Sequence, residues 1–264
     1  MKEIEPNIFI NTTSWDRCVK PIMDKFEIPA ENVYCSRGEL DEFDVDEKDA
    51  VFVRDWTQKI AGLPVPKLDG KSTPVDNKSW ETVSLLDYFY GWVKGSSFGP
   101  ILDLPIVEKS ESVRKIWEKT GLNSWETIGA GDSITDKKAL ELIRREGGSA
   151  VSYTGNRYSV HAGNIGVISY SPAILPVLVE YQKYGGFGEL KLLAEKIKSR
   201  DMTRIFRHEV SKHVLELYQK AFREDVPKIV DLTGMTKTEL NEFAMESESK
   251  RAGYRNSGVL GRLG

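Results

Sequence analysis

The stretch Ile128–Leu140, IGAGDSITDKKAL, decides how the rest of the chain is read. A short run ending in glycine is followed by two carboxylates, Asp132 and Asp136, four residues apart, with the hydroxyls of Ser133 and Thr135 between them. A carboxylate that follows a strand and a glycine projects from the end of that strand. Two such hard oxygen donors suit Mg2+, which takes one or two carboxylates and keeps several waters. The same residues also read as a helix cap, with Asp132 or Ser133 satisfying the first amides of a helix that begins near Asp136. From spacing alone both readings stand.

Downstream, residues 138–146 have helical spacing, Ser149–Tyr153 reads as a strand, Gly155-Asn156 as a turn, 158–162 as a short helix and 166–170 as a strand. Upstream, Asn7–Ile10 is a short apolar strand that stops at the hydroxyl-rich Asn11-Thr12-Thr13-Ser14, and Trp15, Val19, Ile22, Met23 and Phe26 then recur at helical spacing. Asn32–Ser36 is another short strand, and the acidic run LDEFDVDEKD reads as a solvated turn. Residues 51–99 change character, with prolines at 64, 66 and 74 and a cluster of Trp80, Tyr88, Phe89, Tyr90 and Trp92; at least one helix is expected near 80–94. After the apolar stretch Ile101–Val107, a helix runs from about Ser110 to Thr120.

Strands alternating with helices of this size imply an α/β fold with a Rossmann-like parallel sheet. Residues 1–40 and 100–172 read as its core, 41–99 as an inserted cap-like subdomain, and 173–264 as a helical C-terminal extension. Ligands of such sheets bind at the carboxyl ends of the strands, which places Thr12, Lys109 and Asp132 at one rim of one sheet.

Composition narrows the function classes. With 37 basic and 40 acidic residues the formal charge is -3, which argues against a nucleic-acid-binding protein. Cys18 and Cys35 have no CxxC spacing and read as reduced thiols. There is no run of about 18 apolar residues and no signal-peptide pattern at MKEIEPNIFI, so no direct membrane insertion is expected and a cytoplasmic location is.

Lys109 begins a helix, where an ammonium group reaches an anion at the strand rim; a lone lysine there is also commonly just solvated. Thr12 and Thr13 offer hydroxyls and a backbone N–H to a phosphoryl oxygen, as helix N-termini do. Equally, Thr12 reads as an N-cap supported by Asp16.

Taken in order, IFINTTSW, ENVYCSRGELDEF, EKSESV, GDSITD and AVSYTGN resemble the haloacid dehalogenase (HAD) superfamily, with Thr12, Lys109 and GDSITD standing where its second, third and fourth motifs stand. The ending SESKRAGYRNSGVLGRLG resembles an archaeal branch with a divergent helical C-terminus, some of whose members carry the label of accessory subunits of energy-converting hydrogenases. The resemblance implies a phosphohydrolase acting on a small phosphomonoester, with Mg2+ held by Asp132 and Asp136 and phosphate held by Thr12, Thr13 and Lys109.

The resemblance lacks its first motif, the DxDx(T/V) that carries the nucleophile, so the attack that forms an aspartyl-phosphate has no attacking group. Asp55 and Asp103 fall in or beside the insertion. Asp231, in IVDLTGMT, is a weak candidate that needs a circular permutation to reach the central slot; VPKIVDLTGMT reads equally as a short strand and a helix N-cap at Thr236. A central strand is therefore expected from an upstream segment or from a partner chain, since an open strand edge invites pairing. This chain alone is expected to be inactive. The alternative is a non-catalytic protein that binds a small phosphorylated ligand or serves in assembly, the hydrogenase complex included.

Other features are weaker. His161, His208 and His213 have no metal-binding spacing, GGFGEL reads as a helix-to-helix turn, and Lys191–Arg207 reads as a solvated basic face.

Overall fold

The computed structural model describes residues 7–38, 43–64, 66–67, 73–102, 104, 106–198, 210–222 and 226–257. The chain separates into two compact units, one of residues 1–13, 27–34 and 107–264, the other of 14–26 and 35–106.

The larger unit is built on a sheet of order β3-β4-β5-β6, formed by Ile128–Gly131, Ser149–Tyr153, Ile165–Ile168 and Lys228–Asp231. The first three strands are parallel, as the short apolar runs between helices predict, with Ile128 opposite Ser149 and Val151 opposite Ile165. β6 returns antiparallel to β5, with Ile165 opposite Asp231. Among the described residues the regular structure of the C-terminal region is thus helical except for this strand, the strand alternative for VPKIVDL.

Side-chain alternation along the strands supplies both faces with apolar groups. Val151, Ile165, Val167 and Ile229 pack in one cluster against α8 (Ile174–Gly185), α9 (Phe187–Lys198) and α10 (Lys212–Ala221), where Ile174, Leu178, Tyr181, Leu190 and Leu193 are fully buried. On the other face Ala150 joins Val113 of α5 (Lys109–Thr120), Leu140 and Ile143 of α6 (Lys137–Arg145), and Ala162 of α7 (Arg157–Ala162). Val160, Ile168 and Val230 meet Phe243 of α11 (Lys237–Ser257) on that same side. Each such aliphatic side chain taken out of water contributes roughly 1.5–3 kcal/mol. The GGFGEL glycines do form a helix-to-helix turn, Gly186 taking φ +66 between α8 and α9.

A separate two-stranded ladder joins β1 (Ile10–Trp15) and β2 (Val33–Ser36). The hydroxyl-rich segment is therefore strand and not turn, because β-branched Ile10, Thr12 and Thr13 favour extended backbone. The single sheet expected from the sequence is two ladders among the described residues. At the start of the apolar stretch before Lys109, Gly99–Leu102 is a short helix, α4.

In the smaller unit α1 spans Asp16–Phe26, and the described residues of the insertion include the helices α2 (Glu47–Ala61) and α3 (Asn77–Gly95). Part of the acidic run is helix start and not turn: Asp46 accepts from the Lys48 amide, and Glu47 and Asp49 sit where the helix dipole favours negative charge. Phe52 stacks on Trp92 at 3.7 Å between ring centroids, and Trp56 on Phe89 at 5.5 Å.

No helix among the described residues is long and apolar enough to cross a membrane.

Candidate functional site at the acidic loop

β3 delivers Asp132 from its carboxyl end, and Gly131 makes the following turn feasible. A Cβ at Gly131 would lie 2.6 Å from the Asp136 Cγ, so the strand must end in a residue without a side chain for Asp136 to fold back over it. A 3-10 turn, Ile134–Asp136, then leads into α6.

Asp136 is the centre of the loop. Its Oδ2 accepts from the Asp132 amide at 3.0 Å, the Ser133 amide at 3.0 Å and the Ser133 hydroxyl at 2.9 Å. Its Oδ1 accepts from Lys109 Nζ at 2.6 Å. Burial raises the Asp136 pKa, but the Lys109 ammonium and the Ser133 hydroxyl and amide outweigh it and hold the carboxyl below its ordinary value.

Lys109 is placed by the start of α5, which is capped by Glu108 through the Ser110 amide and hydroxyl. Glu108 also pairs with Lys138 at 3.1 Å. From β1, the Asn11 amide donates to the Lys109 carbonyl at 2.8 Å, tying the N-terminal segment to the first turn of α5.

Asp132 meets a second internal cation. Arg251, carried by α11, donates to the Asp132 carboxylate at 2.6 Å and to its carbonyl at 3.0 Å. The Asn156 amide also donates to that carbonyl at 2.9 Å, and Asn156 caps α7.

The structure thus brings Lys109, Asp132 and Asp136 to one loop at the carboxyl end of β3, but their arrangement is self-paired. Both Asp136 oxygens are engaged by donors, and Asp132 faces a guanidinium. Among the described residues no group of three or more His, Cys, Asp or Glu side chains comes together to hold a metal ion. This chain's own donors do not fit a magnesium site in this arrangement.

Thr12 and Thr13 lie within β1 and not at a helix start. Their neighbour Asn11 is the residue that reaches α5. Asp231 sits on β6, at the opposite edge of the sheet from β3, so the permuted arrangement that would put it in a central slot is not the one found. Its carboxylate accepts from the Thr233 amide and hydroxyl at 2.9 and 2.6 Å and pairs with Lys191 at 3.2 Å. Asp55 belongs to α2 in the other unit, and Asp103 and His208 lie outside the described residues. His161 bonds to Asn241 at 3.0 Å.

Beside the loop, a cavity of about 390 Å3 runs along β3. Ile128 and Ala130 of β3, Val113 and Ile116 of α5, Ile143 of α6 and the N-terminal Ile8 and Phe9 line it, with Asn7, Asn11, Lys109, Glu126, Thr127, Asp136 and Gln182 as polar members. Trp117 of α5, also in the lining, donates to the Thr127 hydroxyl at 2.7 Å and fastens that wall to the start of β3. The buried Oδ1 of Asn11 has no hydrogen-bond partner.

Sequence reasoning missed Asn11 and Arg251. Asn11 was visible as the polar residue ending an apolar run. Arg251 carried no local signal, because its partner is 119 residues away.

No protein-family model and no curated protein matches the chain. Among solved structures, gene product AF1437 from Archaeoglobus fulgidus is similar, with a TM-score of 0.54 at 17% identity over 96% of this chain. The chain spans 66% of the length of that protein. At this identity the likeness is one of fold.

Proposed function

We infer that this chain is a HAD-like binding and assembly module that does not transfer phosphoryl groups by itself. The observation that carries this reading is the internal neutralisation of the acidic loop, Lys109 on Asp136 and Arg251 on Asp132, each at 2.6 Å. Where the superfamily's loop would offer carboxylates to Mg2+, this loop answers them with its own cations. The ligand of the reading is a small phosphorylated molecule or a protein partner. An archaeal energy-converting hydrogenase complex is the narrower possibility that the resemblance alone suggests.

A second reading is a phosphohydrolase completed by another segment. It is favoured by the convergence of Lys109, Asp132 and Asp136 beside a groove. In that reading Asp132 is the one carboxylate this chain contributes toward Mg2+, and the remaining ligands and the nucleophile come from elsewhere.

A steady-state assay of the chain with an aryl phosphate and Mg2+ tests whether it transfers phosphoryl groups by itself. No turnover is expected from the chain alone, and none from the Arg251→Ala variant. Turnover by the unaltered chain that is lost in Asp132→Asn would overturn the binding reading.

A further inference from the structure

The cavity along β3 has chemistry that specifies its occupant. β3 is the last strand of its sheet among the described residues, and the groove follows its open edge. The Thr127 carbonyl accepts from the Ser149 amide at 2.9 Å, so the backbone groups of Thr127 point toward β4. Because these groups alternate along a strand, those of Gly129 and Gly131 also face β4, while those of Ile128 and Ala130 face the groove. Side chains from α5, α6, α8 and the N-terminal segment, most of them apolar, supply the remaining walls.

This is a slot that offers a backbone ladder on one side and a mostly apolar surface on the others. Opposite, Asn11 adds a buried carbonyl oxygen that lacks a donor, a costly arrangement that an incoming N–H relieves. A lipid chain or apolar small molecule would fill the volume and satisfy none of these groups. A second copy's β3 edge is itself walled by α5 and α6 and cannot enter.

We propose that the groove between β3 and the N-terminal segment is an acceptor site for an extended strand of a separate polypeptide, which pairs with the Ile128 and Ala130 backbone and donates to Asn11. The occupant is short, because β3 has four residues and each strand residue rises about 3.3 Å. It carries apolar side chains, and it binds by strand addition. This names the kind of partner for the assembly reading above and rests on that reading only in taking the chain to work with a partner.

The test uses the whole chain and a fluorescent peptide of alternating valine and isoleucine with a lysine at each end. Fluorescence anisotropy should show saturable binding. The same peptide N-methylated at alternate amides, which keeps its apolar surface and loses its ladder, should not bind. Ala130→Pro removes one donor that faces the groove, as edge strands tolerate, and should weaken binding at least about tenfold, or about 1.4 kcal/mol, with an unchanged circular dichroism spectrum. Amide exchange should slow at Ile128 and Ala130 when the peptide is bound.

Equal binding of the methylated peptide would overturn the proposal in favour of an apolar ligand pocket. No binding at all, or a chain dimer by sedimentation that Ala130→Pro dissolves, would overturn it as well. These results are independent of the phosphatase assay, so loss of this proposal leaves the reading of the acidic loop to be judged by turnover.

Discussion

Lys109 Nζ lies 2.6 Å from Asp136 Oδ1, with both side chains about nine-tenths buried, so the first turn of α5 is held to the loop that ends β3 by a charge pair shielded from water. Removing one partner leaves the other charged and buried, which is costlier than removing both. Asp136→Ala should lower stability by about 3 kcal/mol in urea denaturation. The double variant Lys109→Met with Asp136→Leu should lose clearly less than the sum of the singles.

Acid sensitivity follows from the same carboxylate. Its folded pKa lies below the ordinary value of 3.8, so its stabilising contribution is present in full above that value and is lost as the pH falls through the lower folded pKa. Unfolding free energy measured from pH 6 to pH 2 should fall less steeply in Asp136→Asn than in the unaltered chain below about pH 4. Parallel curves would show that the carboxylate is not what the acid limb reports.

Gly131 has a role set by space. Gly131→Ala places a methyl group against the Asp136 side chain, with the Asp136 Cγ only 2.6 Å away. Asp136 must then leave either the Asp132 and Ser133 amides or Lys109. A loss of about 2 kcal/mol is expected, in the range of overpacking. The Asp132 and Ser133 amide resonances should shift in an NMR spectrum.

The Asp132 and Arg251 pair should matter little for stability and more for ions. Asp132 is 44% exposed at its side chain, so Arg251→Ala should cost no more than about 1 kcal/mol. Calorimetric titration of the unaltered chain with Mg2+ should show no saturable binding, because Asp136 is engaged and Asp132 faces a guanidinium. Saturable binding that disappears in Asp132→Asn would establish the chain as a magnesium protein in its own right.

How far the sequence could carry the reading is clearest at individual residues. Glycine-ended IGAG followed by a carboxylate announced a strand and a loop, and the strands and helices from 128 to 168 lie within a residue or two of their expected positions, since local periodicity decides them. The same local rules misplaced Thr12 and Thr13, whose hydroxyls suggested a turn while their branched Cβ atoms favoured a strand. They also gave part of the acidic run to a turn, although its carboxylates suit a helix start.

The α/β character and the meeting of Lys109 with the acidic loop were written in residue order. What each carboxylate does was not. Asp136 turns inward to a lysine 27 residues earlier, Asp132 to an arginine 119 residues later, and among the described residues β3 is the edge of its sheet, beside a mostly apolar slot. Hydrogen bonds and ion pairs of that separation depend on how helices from distant parts of the chain pack on one sheet, so only the tertiary structure decides them.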